Sequence, residues 1–236
     1  MVEDPKKLEA AACTPIPVSP KDFNSAAVIP HGLTVEHIRL AMTEFLDFLS
    51  FINTQLHTRE IPRLESMLMQ ANFSSMVGEF MSAAIPKYCP AIVKNQYHNG
   101  HPDLVPAGLY PGDAILHGSE GIEIKASRYL RGWQGHNAED VWLLVFAFDS
   151  GTPRDESKGI PPRPFRFRLV AGAYIEKADW TFSGRTGISR RTITASVNRS
   201  GYNKMLANWI YQEPSTTVAT LSAPPPETGP GPTTSE

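Results

Sequence analysis

Cysteine is almost missing from this 236-residue chain, which holds only Cys13 and Cys89. One pair makes no disulfide framework, and its spacing excludes a CxxC metal site. Long apolar runs are missing too. No stretch approaches the roughly eighteen residues of a membrane span, and the opening MVEDPKKLEAAACTP has no signal-peptide core. A cytoplasmic protein with no membrane partner is therefore expected. No glycine-rich phosphate loop opens a helix, so no nucleotide cofactor is expected and a small phosphorylated substrate is disfavoured. There is no internal repeat. Net charge is also slight: 22 basic and 24 acidic residues leave −2.

What is present fits one substantial domain, with 41% hydrophobic and 19% charged residues. Ten of the 21 prolines lie outside residues 21–213. That clustering divides the chain into a disordered arm over 1–30, a helical region over 31–88, an α/β core over 89–212 and a disordered tail over 213–236. Thr34 caps an expected helix running towards Arg59, with Ile38, Met42, Phe45, Leu49, Ile52 and Leu56 as an alternating four–three seam. That seam suits either the next helix or a homodimer partner. A second helix is expected from Arg63 to Ala84, carrying Glu79, and a short strand from Ala91 to Tyr97. The apolar run Val141–Asp149 reads as a strand buried on both faces. Residues 164–197 read as β, and 200–209 as a terminal helix.

The segment YPGDAILHGSEGIEIKAS, Tyr110 to Ser127, reads as a β-hairpin. Asp113, Ile115 and His117 alternate on one arm, Gly118, Ser119 and Gly121 supply the turn, and Ile122 to Ala126 form the other. Glu123 and Lys125, two apart, share a face. A register centred on Ser119 sets Asp113 opposite Lys125, crowding two carboxylates and an ammonium into one patch, which suits a divalent cation beside a phosphate. His101-Pro102-Asp103 supplies a second aspartate, twenty residues before Glu123. Asp113 is preferred because Pro106 and Pro111 interrupt a strand from Asp103. Asp103 stands as the alternative or as an additional ligand.

An aspartate leading into one strand and Glu-x-Lys on the next resemble the PD-(D/E)XK nuclease superfamily, which includes type II restriction endonucleases. The resemblance implies an α+β fold with an αβββαβ restriction-endonuclease-like core, a central mixed sheet, an N-terminal helical pair and a β-rich C-terminal half. It implies a Mg²⁺-dependent DNA endonuclease, with Mn²⁺ as substitute, hydrolysing phosphodiester bonds to leave a 5′-phosphate, and a homodimer as in many restriction enzymes. Asp113 and Glu123 would bind the metal, with Asp103 or Glu79 completing the shell. Lys125 would position or help deprotonate the attacking water, and His136 would assist proton transfer. The alternatives are a non-catalytic DNA-binding or assembly protein on the same scaffold and a phage or repair nuclease.

Charge is distributed unevenly. Residues 158–204 hold ten basic side chains against two acidic ones. Such a face suits double-stranded DNA. Its expected contacts are Arg166, Arg168, Arg185, Arg190, Arg191 and Arg199, joined by Arg128, Arg131 and Gln134 just past Lys125.

Overall fold

A computed structural model describes residues 4–135, 137–182 and 195–216. Five helices are present among them: α1 (Pro5–Ala12), α2 (Val35–His57), α3 (Leu64–Met67), α4 (Gln70–Tyr88) and α5 (Arg199–Ala207). The strands are β1 (Ile92–Lys94), β2 (Leu104–Pro106), β3 (Ile122–Ser127), β4 (Gln134–Gly135), β5 (Val141–Asp149), β6 (Arg166–Ile175), β7 (Trp180–Phe182), β8 (Ala195–Val197) and β9 (Trp209–Gln212). The architecture is mixed α+β, with a mixed central sheet and helices towards the N-terminus.

The central sheet has the order β1-β2-β3-β5-β6-β9, and a smaller sheet has the order β4-β8-β7. In the large sheet β3 and β5 run parallel and every other pair is antiparallel. β5 is the spine, because its alternate side chains feed two cores. Leu144, Phe146 and Phe148 pack with Phe45, Leu49, Phe73 and Met81 from α2 and α4. Leu143, Val145 and Ala147 pack on the other face with Trp133, Trp180, Val197 and Met205, from the β3–β4 connection, the small sheet and α5. A continuous apolar run is what a strand covered on both faces needs.

α2 starts where a capping box forms: the His37 backbone N–H donates to Thr34 Oγ1 at 3.3 Å, and the Thr34 N–H donates to His37 Nδ1 at 3.2 Å. Its seam packs inside the chain. Ile38, Met42, Phe45 and Leu49 are fully buried in the first core, so these residues offer no homodimer stripe. The second helix is divided, because Leu68 takes an extended backbone (ψ 145°) between α3 and α4. α4 also runs through Pro86 to Tyr88, beyond the expected end at Ala84.

At the termini one expectation is corrected and the other falls largely outside the described residues. Residues 4–30 are folded onto the domain. Pro5 opens α1, where its missing N–H costs nothing, and Asp4 caps the helix. Ala12 and Cys13 are buried, and Glu9 pairs with the buried Arg63 guanidinium at 2.8 Å. Farther along, the Ile16 N–H donates to the Phe165 carbonyl, and Phe23 packs on Tyr211. At the other end Thr216 is buried and its hydroxyl accepts from Arg168 Nε at 2.8 Å; residues 217–236 lie outside the described residues.

Phe45→Ala is expected to lower unfolding free energy by about 3–5 kcal/mol, whereas Phe51→Ala, at a side chain left 63% exposed, should change it by less than about 0.5 kcal/mol. Urea titrations of both variants check this, and equal losses would mean that α2 is packed on its other face.

Candidate functional site

The local period of β3 sets the site. Ile122, Ile124 and Ala126 face the helices, and Glu123 and Lys125 face the other way. Their neighbours across the parallel pair are Leu143 and Val145, both in the second core. Glu123 is consequently only 8% exposed.

The partner of this strand is not the expected one. β3 pairs antiparallel with β2, Leu104 facing Ile122, and Asp103 immediately precedes β2. Asp103 Oδ2 accepts from the Ile124 N–H at 2.8 Å. The close approach depends on Gly121, whose φ is +142° and where a Cβ would stand 2.2 Å from the Leu104 carbonyl oxygen. The Tyr110–Ser127 hairpin does not form. Pro111–Asp113 is a 3-10 turn in which Gly112 and Asp113 both take left-handed backbone (φ 63° and 55°), which ends any extended arm. The Asp113 carboxylate accepts from the Gly108 N–H at 2.7 Å and makes no ion pair with Lys125. Asp103 therefore takes the place assigned to Asp113. Pro106 and Pro111 do not prevent its strand, because β2 is only three residues long, ends on Pro106 and stops short of Pro111.

The Glu123 carboxylate is divided between Lys125 and His101. Lys125 Nζ donates to Oε1, and His101 Nδ1 lies 2.9 Å from Oε2. The other ring nitrogen of His101 lies 2.6 Å from Glu139 Oε2. His101 and Glu139 were not among the candidates. His101 carries a sequence signal, two residues before Asp103, but Glu139 is an acid in a polar loop with none.

Electrostatics separates the two carboxyls. Burial, then the Glu123 charge, pushes Asp103 up to about 7. Burial opposes ionisation of Glu123 as well, but the His101 hydrogen bond and the Lys125 charge outweigh it and hold Glu123 at about 2. Burial likewise opposes charge on Lys125 and His101; Glu123 outweighs it at both and raises them. Near neutral pH Asp103 is therefore poised between its protonated and ionised forms, facing an ionised Glu123.

The other expected residues lie elsewhere. Glu79 pairs with Lys94 at the surface, 2.7 Å away. Arg128 turns inward: Nη1 donates to the Ser150 carbonyl at 3.0 Å, and the guanidinium sits over the rings of Phe73 and Phe148. Arg166 is held by Asp149 and Glu213, and Arg168 by Glu213, so neither offers a free charge on a strand face. Arg131 is half-buried, while Gln134 and Arg199 are exposed. His136, Arg185, Arg190 and Arg191 lie outside the described residues. A cavity of about 900 Å³ lined by Glu9, His57, Arg63, Asp155 and Pro161 contains none of these candidates. No described helix is long and apolar enough to cross a membrane. No family model, curated protein or solved structure matches this chain.

A carboxyl whose pKa rises on folding favours the native state fully below about pH 4 and loses that contribution as pH climbs to about 7. Asp103→Asn mimics the protonated acid, accepting from Ile124 and donating to Glu123. In metal-free buffer its stability advantage over the parent should widen by about 1 kcal/mol or more between pH 4 and 7.5, then level off. Thermal melts across that range check it, and a constant gap would rule out the raised Asp103 pKa.

Proposed function

We propose that this chain is a Mg²⁺-dependent DNA endonuclease of the PD-(D/E)XK type, hydrolysing phosphodiester bonds in double-stranded DNA, with restriction-type site specificity. The observation that carries this is the convergence of Pro102-Asp103 with Glu123-Ile124-Lys125 on the antiparallel β2–β3 pair, beside a parallel β3–β5 pair. The element order α4, β1, β2, β3, β5 supports this reading, although the described residues between β3 and β5 contribute β4 and no helix to the crossover.

The donor set suits a hard cation. Among the described residues no group of three or more His, Cys, Asp and Glu is arranged to hold a metal ion. Mg²⁺ does not need one, because it keeps several waters and is held by one or two carboxylates together with substrate phosphate. Asp103 and Glu123 would hold it, brought together by the β2–β3 pairing. When bound, such an ion polarises a phosphoryl oxygen and lowers the pKa of a bound water.

The chain's own residues do the rest. Burial beside Leu143 and Val145 limits solvent screening, which strengthens each charge in the site. Lys125, its side chain 30% exposed, presents an ammonium next to the carboxylates. That charge orients a water and offsets the negative charge that grows on phosphorus during in-line attack. DNA would approach on the Lys125 face. The layer covering that face includes β7 and β8, the strands on either side of residues 183–194.

With plasmid DNA and Mg²⁺, the parent and Asp113→Ala should cut, and Asp103→Ala, Glu123→Ala and Lys125→Ala should each lose at least about a hundredfold in rate while still binding DNA. Loss in Asp113→Ala with retention in Asp103→Ala would reverse the ligand assignment. Intact DNA under every condition, with a gel shift, would favour the non-catalytic binder. In a second test, Arg190→Ala/Arg191→Ala should flatten the log–log salt dependence of DNA binding by about two. Arg166→Ala/Arg168→Ala should leave that slope unchanged and lower stability instead. An unchanged slope in the first pair would remove those arginines from the interface.

A further inference from the structure

Glu123 has two oxygens and two nitrogen-bearing neighbours, and each neighbour takes one. Lys125 reaches Oε1 from the same strand, two residues away. Oε2 is claimed by His101, from the loop before β2, and the other nitrogen of His101 is claimed by Glu139, from the β4–β5 connection. Three segments remote in sequence thus meet around one carboxylate.

Both outlying segments are anchored independently. The His101 N–H donates to the Leu116 carbonyl at 3.0 Å, and its own carbonyl accepts from the Gly118 N–H at 2.7 Å. Asn95 Nδ2 donates to the Pro102 carbonyl at 3.0 Å. Around Glu139, its carbonyl accepts from Trp180 Nε1 at 2.9 Å, and Asp140 Oδ1 accepts from the Lys177 N–H at 2.7 Å. With each backbone already fixed, the His101–Glu139 contact is not needed to close either loop. Its effect falls on the imidazole, which is gripped at both nitrogens and cannot rotate. An imidazole so fixed keeps Oε2 from turning onto Lys125.

On the reading of Asp103 and Glu123 as cation ligands, we infer that His101 and Glu139 are positioning residues of that site. Glu139 orients His101, and His101 prevents Glu123 from closing a two-oxygen ion pair on Lys125, leaving the carboxylate set for a divalent cation. Outer partners of this kind govern ligand orientation, and their loss typically costs about 10- to 100-fold in metal affinity.

The experiment is Mn²⁺ titration of the full chain, followed by water-proton relaxation, with Glu123→Ala marking the site. His101→Ala and Glu139→Ala should each weaken Mn²⁺ binding about tenfold or more. Because Glu139 acts through His101, the double variant should bind no more weakly than His101→Ala alone. Glu139→Gln, whose amide oxygen still accepts from the ring N–H, should recover most of the affinity. Should Glu139→Ala fail to fold, Glu139→Asp carries the same test: it keeps the charge, falls a methylene short and should also weaken binding. Additive losses in the double variant, or affinities of both Glu139→Ala and Glu139→Asp within about twofold of the parent, would overturn the inference and leave the cation site standing. A parent that binds Mn²⁺ no better than Glu123→Ala would overturn the cation site and the inference with it.

Discussion

The rest of the molecule depends on β5 being buried on both faces and flanked on both edges. Its side chains alternate between a phenylalanine-rich core under α2 and α4 and a second core under the small sheet and α5. β3 lies parallel to it in register, so the β3 side chains inherit the same two environments. Ile122 and Ile124 enter the first core. Glu123 and Lys125 are carried to the border of the second, where apolar neighbours limit hydration. The spine that organises the fold is therefore also what raises the cost of charge at the site.

That cost makes the charge cluster informative. Burying an ion from water carries a penalty on the order of several kcal/mol unless partners offset it. Elsewhere the chain meets the penalty by closing the network. The Arg63 guanidinium, 2% exposed, donates to Glu9, Glu65 and the carbonyls of Ala12 and Arg163. Around Glu123 the network does not close in the same way: burial, and then the Glu123 charge that it faces, push Asp103 up to about 7. A pair of carboxyls held short of full ionisation is a poor way to stabilise a fold and a good way to receive a cation. Arg128 contrasts with both. Its Nε and Nη2 have no hydrogen-bond partner among the described residues, and the faces of Phe73 and Phe148 take their place.

Much of the scaffold was legible because its signals are local. The Thr34 cap and the four–three spacing mark α2, and the uninterrupted apolar run marks β5 to the residue. The arm over residues 4–30 was misread because proline punctuates unfolded chain and opens helices equally well. Only the packing of Ala12, Cys13 and Glu9 against Arg63 distinguishes the two. The hairpin was misread because alternation at Asp113, Ile115 and His117 imitates a strand, whereas two successive left-handed residues make a turn there. The basic segment was counted correctly, but counting does not reveal that Arg163, Arg166, Arg168 and Lys204 each have an acidic partner.

By itself the sequence determined that Glu123 and Lys125 share a face, because the strand period of two is a property of neighbouring residues. It also determined that this strand would lie near a core, from Ile122 and Ile124 on either side of Glu123. Which aspartate meets the pair was decided only by tertiary structure. Asp103 and Asp113 both stand before β3 in the chain, and the choice turns on the Leu104–Ile122 register and on the space Gly121 leaves for the β2 backbone. The same holds for Glu139, brought to His101 across 38 residues by the packing of the small sheet. Periodicity is written in adjacent residues, whereas register and loop placement are settled by which distant surfaces bury together.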